Sequence, residues 1–362
     1  MRTEKKTTYR YMEYLRVLCA FAVILVHVSG QNWFKIPIGS RDWVIQAFYN
    51  IAGRFSVCVF CMLTGALFLA PGRDMSSENM RKHIGRILLI LGIWTILYDI
   101  LYTVMEDGDA EYFILHLVKL PGHLWYLLML VSLYLSTPIL KKVTEDRAVT
   151  RYAIRLLVVF GALFGLLPGV TGFFDQMAGD SFGYTLWTTF LGTAGGLNCL
   201  FVPGYLGFYL LGHYIHEYGL GKWHRPIILL TVPAILLSAV LTVVLSQVTG
   251  RYIYTFMLET NPLIVLASAG VYALFRGEAG TEPAADPEPQ ITEAVRRLGS
   301  DTLGIYLIHF AVRDILKNYA GFTVASYPAI FSVPGNALLI FIISLLITKV
   351  LKKVPGVRRI VS

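Results

Sequence analysis

Three ionisable residues share one apolar segment near the start of the chain: Glu13, Arg16 and His27, in EYLRVLCAFAVILVH. A carboxylate three residues before a guanidinium can pair with it along a helix, and an imidazole can exchange a proton near neutral pH. Arg16 and His27 are eleven positions apart, which returns to within about 20° of the same helix face and separates them by roughly 16 Å along the axis. One stripe of one helix then presents an acid, a guanidinium and an imidazole. Arg54 lies in a second apolar run, YNIAGRFSVCVFCMLTGAL, where snorkelling to either surface is a long reach, so it needs a partner or a water-filled cavity.

Further polar groups stand at the ends of other apolar runs. In RKHIGRILL, Arg81, His83 and Arg86 read either as charges that set topology or as a collar for phosphate, which guanidinium forks suit. His123, Trp125 and Tyr126 open GHLWYLLMLVSLYLSTPIL; an interfacial aromatic belt explains the Trp and the Tyr but not the His. In SDTLGIYLIHF, Ser300 and Asp301 precede an apolar run that carries Tyr306 and His309, and Ser300 suits an N-cap. His213 and His216, beside Glu217, could put two nitrogens on one metal, but no third strong ligand is implied and no metal site is expected. Cys19, Cys58, Cys61 and Cys199 read as small buried hydrophobes rather than redox or zinc groups.

The elements that must position these residues are membrane helices. Of 362 residues, 56% are hydrophobic and only 15% charged, against roughly 25% charged in an average soluble domain. Runs of about 20 apolar residues, enough to cross a ~30 Å hydrocarbon core, recur between short polar connections. We read ten helices, at 11–28, 43–69, 84–104, 123–140, 152–170, 200–218, 227–248, 253–275, 299–315 and 328–351, in a single all-α bundle spanning 1–362. The first is a membrane helix rather than a signal peptide, because Arg16 interrupts it and no clean cleavage site follows. The aromatic and Gly-rich connection 171–199 suits an ordered outer loop that lines a site, and the acidic, Pro-rich stretch 277–290 a flexible linker.

The net charge of +8 does not point to nucleic acid, because the basic residues flank the apolar runs. Most of the 31 Lys and Arg fall on alternate connections starting with the N-terminus, while Lys35, Arg41, Lys119, Arg251, Arg313 and Lys317 fall on the others. Both termini are therefore expected in the cytoplasm.

Taken in order, EYLRVLCAFAVILVH, RFSVCVFCMLTGALFL, RKHIGRILL, GHLWYLLMLVSLYLSTPIL, VPGYLGFYLLGHYI and SDTLGIYLIH resemble the acyltransferase-3 family of integral membrane acyltransferases over nearly the whole length. That family carries an Arg followed eleven positions later by a His, with an acid just before the Arg; Glu13 stands here where Asp is usual. Two arginines three apart are common where this chain has His83 and Arg86, and Thr64 precedes Gly65 where Ser is common.

The resemblance implies transfer of an acyl group, usually acetyl from cytoplasmic acetyl-CoA, to a hydroxyl of a carbohydrate or other envelope component across the cell membrane, as in a bacterial cytoplasmic membrane. No tightly bound cofactor is implied; acyl-CoA is a substrate, and membrane lipids surround the bundle. A pantetheine arm of about 15–20 Å matches the rise between Arg16 and His27. On this reading His27 is general base or acyl-carrying nucleophile, Arg16 and Arg54 hold the donor and stabilise charge on the thioester oxygen, and Glu13 orients Arg16. Arg81, His83 and Arg86 bind the donor phosphates, and His123, Trp125, Tyr126, Tyr306 and His309 contribute to substrate binding. The run ending at Ser362 leaves no room for the extra esterase-like domain that some relatives carry. A transporter of a small polar or acylated molecule and a non-catalytic ligand sensor are the competing classes.

Overall fold

Apolar periodicity without strand signals folds, in a computed structural model, as helices throughout the described residues, which are 9–75, 77–118, 120–156, 204–277 and 290–361. The helices are α1 (Arg10–Ser29), α2 (Arg41–Gly53), α3 (Phe55–Phe68), α4 (Ser77–Met105), α5 (Ala110–Val118) and α6 (Trp125–Thr144), followed after a helical stretch at 147–156 by α7 (Tyr205–Tyr218), α8 (His224–Thr249), α9 (Pro262–Arg276), α10 (Gln290–Ala320), α11 (Ala329–Leu351) and the short α12 (Arg358–Val361). Seven stretches among the described residues are helical, long and apolar enough to cross a membrane.

Those seven correspond to the expected spans beginning at 11, 43, 84, 123, 227, 253 and 328. Most of 152–170, the start of 200–218, the loop 171–199 with Cys199, and nearly all of 277–290 lie outside the described residues. The expected helix 299–315 lies within the longer, more polar α10.

Three local expectations are corrected. The run 43–69 is not one uninterrupted helix: Arg54 ends α2 and begins α3, its N–H bonding back to the Ile51 carbonyl in a tightened turn. The run 253–275 starts as a short 3-10 turn at Thr255–Met257 and becomes α-helical only at Pro262, because Asn261 caps it by accepting from the Leu263 N–H and proline favours the first helical position. Ser300 is not an N-cap, since α10 starts ten residues earlier; its hydroxyl donates to the Arg297 carbonyl, and Asp301 pairs with Lys352 at 2.5 Å.

Helix α1 is central, packed against α10, α2, α11 and α3. The tightest crossing, α3 on α7, is made by backbone rather than side chains: a Cβ on Gly65 would lie 1.8 Å from the Tyr209 carbonyl oxygen, and one on Gly212 2.0 Å from that of Met62. Close approach of that kind is how helices gain packing energy where lipid supplies no hydrophobic drive. The periphery is apolar: Leu229, Val232 and Val248 on α8, with Leu346 and Val350 on α11, are exposed, as suits a surface wetted by acyl chains.

Candidate functional site

The stripe on α1 faces a cavity. A space of about 400 Å³ is lined by Arg16 and His27 from α1, Arg54 at the α2–α3 turn, His83 and Arg86 from α4, and His123, Trp125 and Tyr126 at the start of α6. Tyr306 and Thr302 of α10 complete one wall. The 3.6-residue period thus carries the eleven-residue spacing onto a single lumen.

At one end of the lumen, Arg16 is held by Glu13 at 2.5 Å. Glu13 is buried and does not line the lumen itself; it acts on the Arg16 guanidinium, as its three-residue spacing suggests. Arg86, His83 and Tyr134 line this basic end, where Tyr134 stacks on Phe68 with ring centroids 4.7 Å apart and His83 meets the same Phe68 edge-on at 5.1 Å. Arg81 is exposed on the outer side of α4 and does not reach the lumen. On a helix, five residues place it about 140° away from Arg86, so only one of the two arginines can face inward.

At the other end, His27 lies among aromatic rings. Its imidazole meets Phe310 edge-on at 4.6 Å and His309 at 5.4 Å. Phe310 is a hub: His123 stacks on it at 4.3 Å, and the Arg313 guanidinium sits 3.8 Å from its ring centroid. Arg313 pairs with Asp314 at 2.8 Å, and Asp314 accepts from the Tyr102 hydroxyl at 3.0 Å. His309 is 1% exposed and lies behind His27 rather than on the lumen. Its Nδ1–H donates to the Tyr306 carbonyl at 2.6 Å, which leaves Nε2 as the lone-pair nitrogen. The Tyr306 hydroxyl in turn donates to the His123 carbonyl. Among the described residues, ring packing rather than a hydrogen bond to a carboxylate orients His27.

Arg54 finds the partners its depth demands. Its Nε donates to Asn50 Oδ1 at 2.8 Å and its Nη1 reaches Glu259 Oε1 at 3.3 Å. Glu259 arrives from the turn before α9 and also lines the lumen. Neither Glu259 nor Asn50 was singled out from sequence, and neither were Phe310 and Arg313. An Asn one turn before an Arg inside an apolar run was a readable signal; Glu259 had none, because its proximity is purely tertiary.

A second cavity of about 510 Å³ meets the first at Val26, His27 and Arg54. Trp33, Phe34 and Tyr254 form an aromatic side, and Gln31, Asn50, Arg313, Asp314 and Lys317 a polar one. His27 and Arg54 are therefore reachable from two directions. Such a junction can receive one reactant from each side and keep bulk water from the bond that changes.

His213 and His216 line neither of these two cavities, and His216 belongs to a hydrogen-bonded network. The Tyr11 hydroxyl lies 2.6 Å from His216 Nδ1 and 3.1 Å from the Tyr272 hydroxyl, while Arg276 donates to the His216 carbonyl from Nε and Nη2 at 3.1 and 2.8 Å. Among the described residues no group of three or more His, Cys, Asp or Glu is arranged to hold a metal.

No curated protein and no solved structure matches the chain. Its residues 9–351 do match the family model described as an acyltransferase domain, and with that match over nearly its whole length the chain belongs to the acyltransferase-3 family.

Proposed function

We propose that this protein transfers an acetyl group from acetyl-CoA, entering at the Arg86 end, to a hydroxyl presented from the second cavity. The observation that carries this reading is the meeting of two cavities at His27 and Arg54. The CoA phosphates lie against Arg86 and His83, and the pantetheine arm follows the lumen past Arg16, a path of roughly 16 Å along α1. The thioester carbonyl then reaches Arg54.

In the step itself, His27 takes the proton of the acceptor hydroxyl as its oxygen attacks the thioester carbon. Arg54 stabilises the negative charge that develops on the carbonyl oxygen, in surroundings where each donor counts for more than in water. The C–O bond forms, the C–S bond breaks, and the imidazolium returns its proton to the departing CoA thiolate. The variant in which His27 first carries the acetyl group uses the same residues and balances likewise, the acceptor attacking acetyl-imidazole afterwards.

The acceptor that best suits the second cavity is a carbohydrate of the cell envelope. Exposed rings of Phe34 and Tyr254 beside the amide of Gln31 combine a stacking surface with a group that bonds hydroxyls. The Arg86 end then faces the cytoplasm and the second cavity the outer side of a cell membrane, consistent with the placement of Lys and Arg. Purified protein in lipid nanodiscs, given acetyl-CoA with radiolabelled acetyl, tests the reaction. The expected result is CoA release that His27→Ala abolishes, with an acetylated acceptor recovered from added envelope extract. Full CoA release by a correctly inserted His27→Ala protein would overturn it.

A further inference from the structure

We infer that Asn50 is a positioning residue that ties the Arg54 guanidinium to the turn of α1 bearing His27. The inference rests on the proposed role of Arg54 at the thioester carbonyl and extends it to a residue that does not touch the reacting atoms.

The Asn50 side chain uses both of its chemical halves. Its Nδ2 donates to the Val26 carbonyl at 2.9 Å and to Ser29 Oγ at 3.2 Å, and its Oδ1 accepts from Arg54 Nε at 2.8 Å. Val26 and Ser29 flank His27 in the chain. The orientation of the carboxamide is dictated, because the flipped form would set an NH2 against the Arg54 N–H and an oxygen against a carbonyl. Asn50 is 4% exposed, so unmet partners there would not be rescued freely by water. Ser29 is itself fixed, its hydroxyl donating to the Leu25 carbonyl at 2.7 Å.

The two helices are close enough for a short side chain to bridge them. Gly53, one turn along α2, faces α1 so closely that a Cβ there would lie 2.7 Å from the Ala22 carbonyl oxygen and 2.7 Å from Val26 Cγ2. The α1–α2 contact is thus set by backbone on one side and by one carboxamide on the other. Glu259 reaches a different nitrogen of Arg54, Nη1 rather than Nε, and so restrains the head of the side chain without linking it to α1. Asn50 alone among these partners joins the cation to the helix of the imidazole.

No other common side chain reproduces this set of bonds. Asp keeps the acceptor for Arg54 but loses the donor to Val26; Leu has nearly the same shape and neither function; Gln is one methylene too long for a gap set by Gly53.

The test is kinetic, with acetyl-CoA as donor and CoA release as readout, on full-length protein in nanodiscs. Asn50→Leu should lower kcat by about 10–100-fold, the scale of a small misplacement of a catalytic group, while the KM for acetyl-CoA changes less than about three-fold. In an Arg54→Ala background the same substitution should cost less than about three-fold, because the group it positions is gone. Equal losses in both backgrounds, or an unchanged kcat, would overturn the inference. A loss confined to KM would also overturn it. Deuterium exchange at the Gly30 amide, which bonds to the Val26 carbonyl, provides a readout independent of turnover: Asn50→Leu should speed it, and unchanged exchange counts against the clamp. If His27→Ala retains full turnover while the Asn50–Arg54 coupling persists, the acetyl-transfer reading fails and the clamp stands; additive effects with an inactive His27→Ala reverse that outcome.

Discussion

Two groups of histidines occupy the bundle, and they differ in what surrounds them more than in depth. His309 lies within ring contact of both His27 and His123, which stand on a lumen with His309 immediately behind. His213 and His216 are as buried as His123 and His309, yet His216 belongs to the Tyr11, Tyr272 and Arg276 network. Burial of an imidazole is costly in both places. It leads to chemistry only where an accessible space brings a reactant to the ring.

The sharpest way to break this contrast is to delete one histidine from each group. His27→Ala should lower turnover by ~10²–10⁴, the range for a positioned acid–base group, with insertion and acetyl-CoA binding retained. CoA release by the nanodisc protein measures it, and wild-type rates would place His27 with the structural histidines. Arg54→Ala should follow at about 10²-fold in kcat, as for loss of one donor to a developing oxyanion; a change in acetyl-CoA KM alone would make Arg54 a binding group instead.

His216→Phe should leave kcat within two-fold or so but lower stability by about 1–2 kcal/mol, because it removes the shorter of the two hydrogen bonds of the Tyr11 hydroxyl. A thermal melt of the solubilised protein reads this, and an unchanged Tm would deny the network its structural role. Arg86→Ala should raise the KM for acetyl-CoA only about five-fold, an exposed charge being worth ~1 kcal/mol, and the difference from wild type should shrink at high salt. A salt-independent effect would remove the phosphate contact.

The smallest effect is expected at His213, where neither ring nitrogen has a hydrogen-bond partner among the described residues. His213→Leu should be within about 0.5 kcal/mol of neutral, or stabilising, since a buried polar group without partners is replaced by an apolar one of similar size. A large loss of turnover would show that the second group also reaches the chemistry.

The sequence carried the helical periods, the ionisable stripe on α1 and the pairing of Glu13 with Arg16, because each depends on spacing within one helix. It also carried the family, through motifs kept in order along the chain. What it could not carry is who meets whom across the bundle. Glu259 reaches Arg54 over 205 positions, and Phe310 gathers His27 from the end of α1 and His123 from the start of α6. Arg81 and Arg86 look alike in RKHIGRILL, but the packing of α4 turns only Arg86 to the lumen.

By itself, then, the sequence determined an all-helical membrane chain with an acid, a guanidinium and an imidazole on one face of its first helix, since helix period and the cost of charge in lipid act locally. Tertiary structure decided that this face borders two cavities, that Arg54 stands at their junction in a break between α2 and α3, that Glu259 reaches it there, and that Asn50 ties it to α1. Those placements depend on close helix crossings at Gly53 and Gly65, where the missing Cβ, not any property legible in a linear pattern, sets how near two backbones can come.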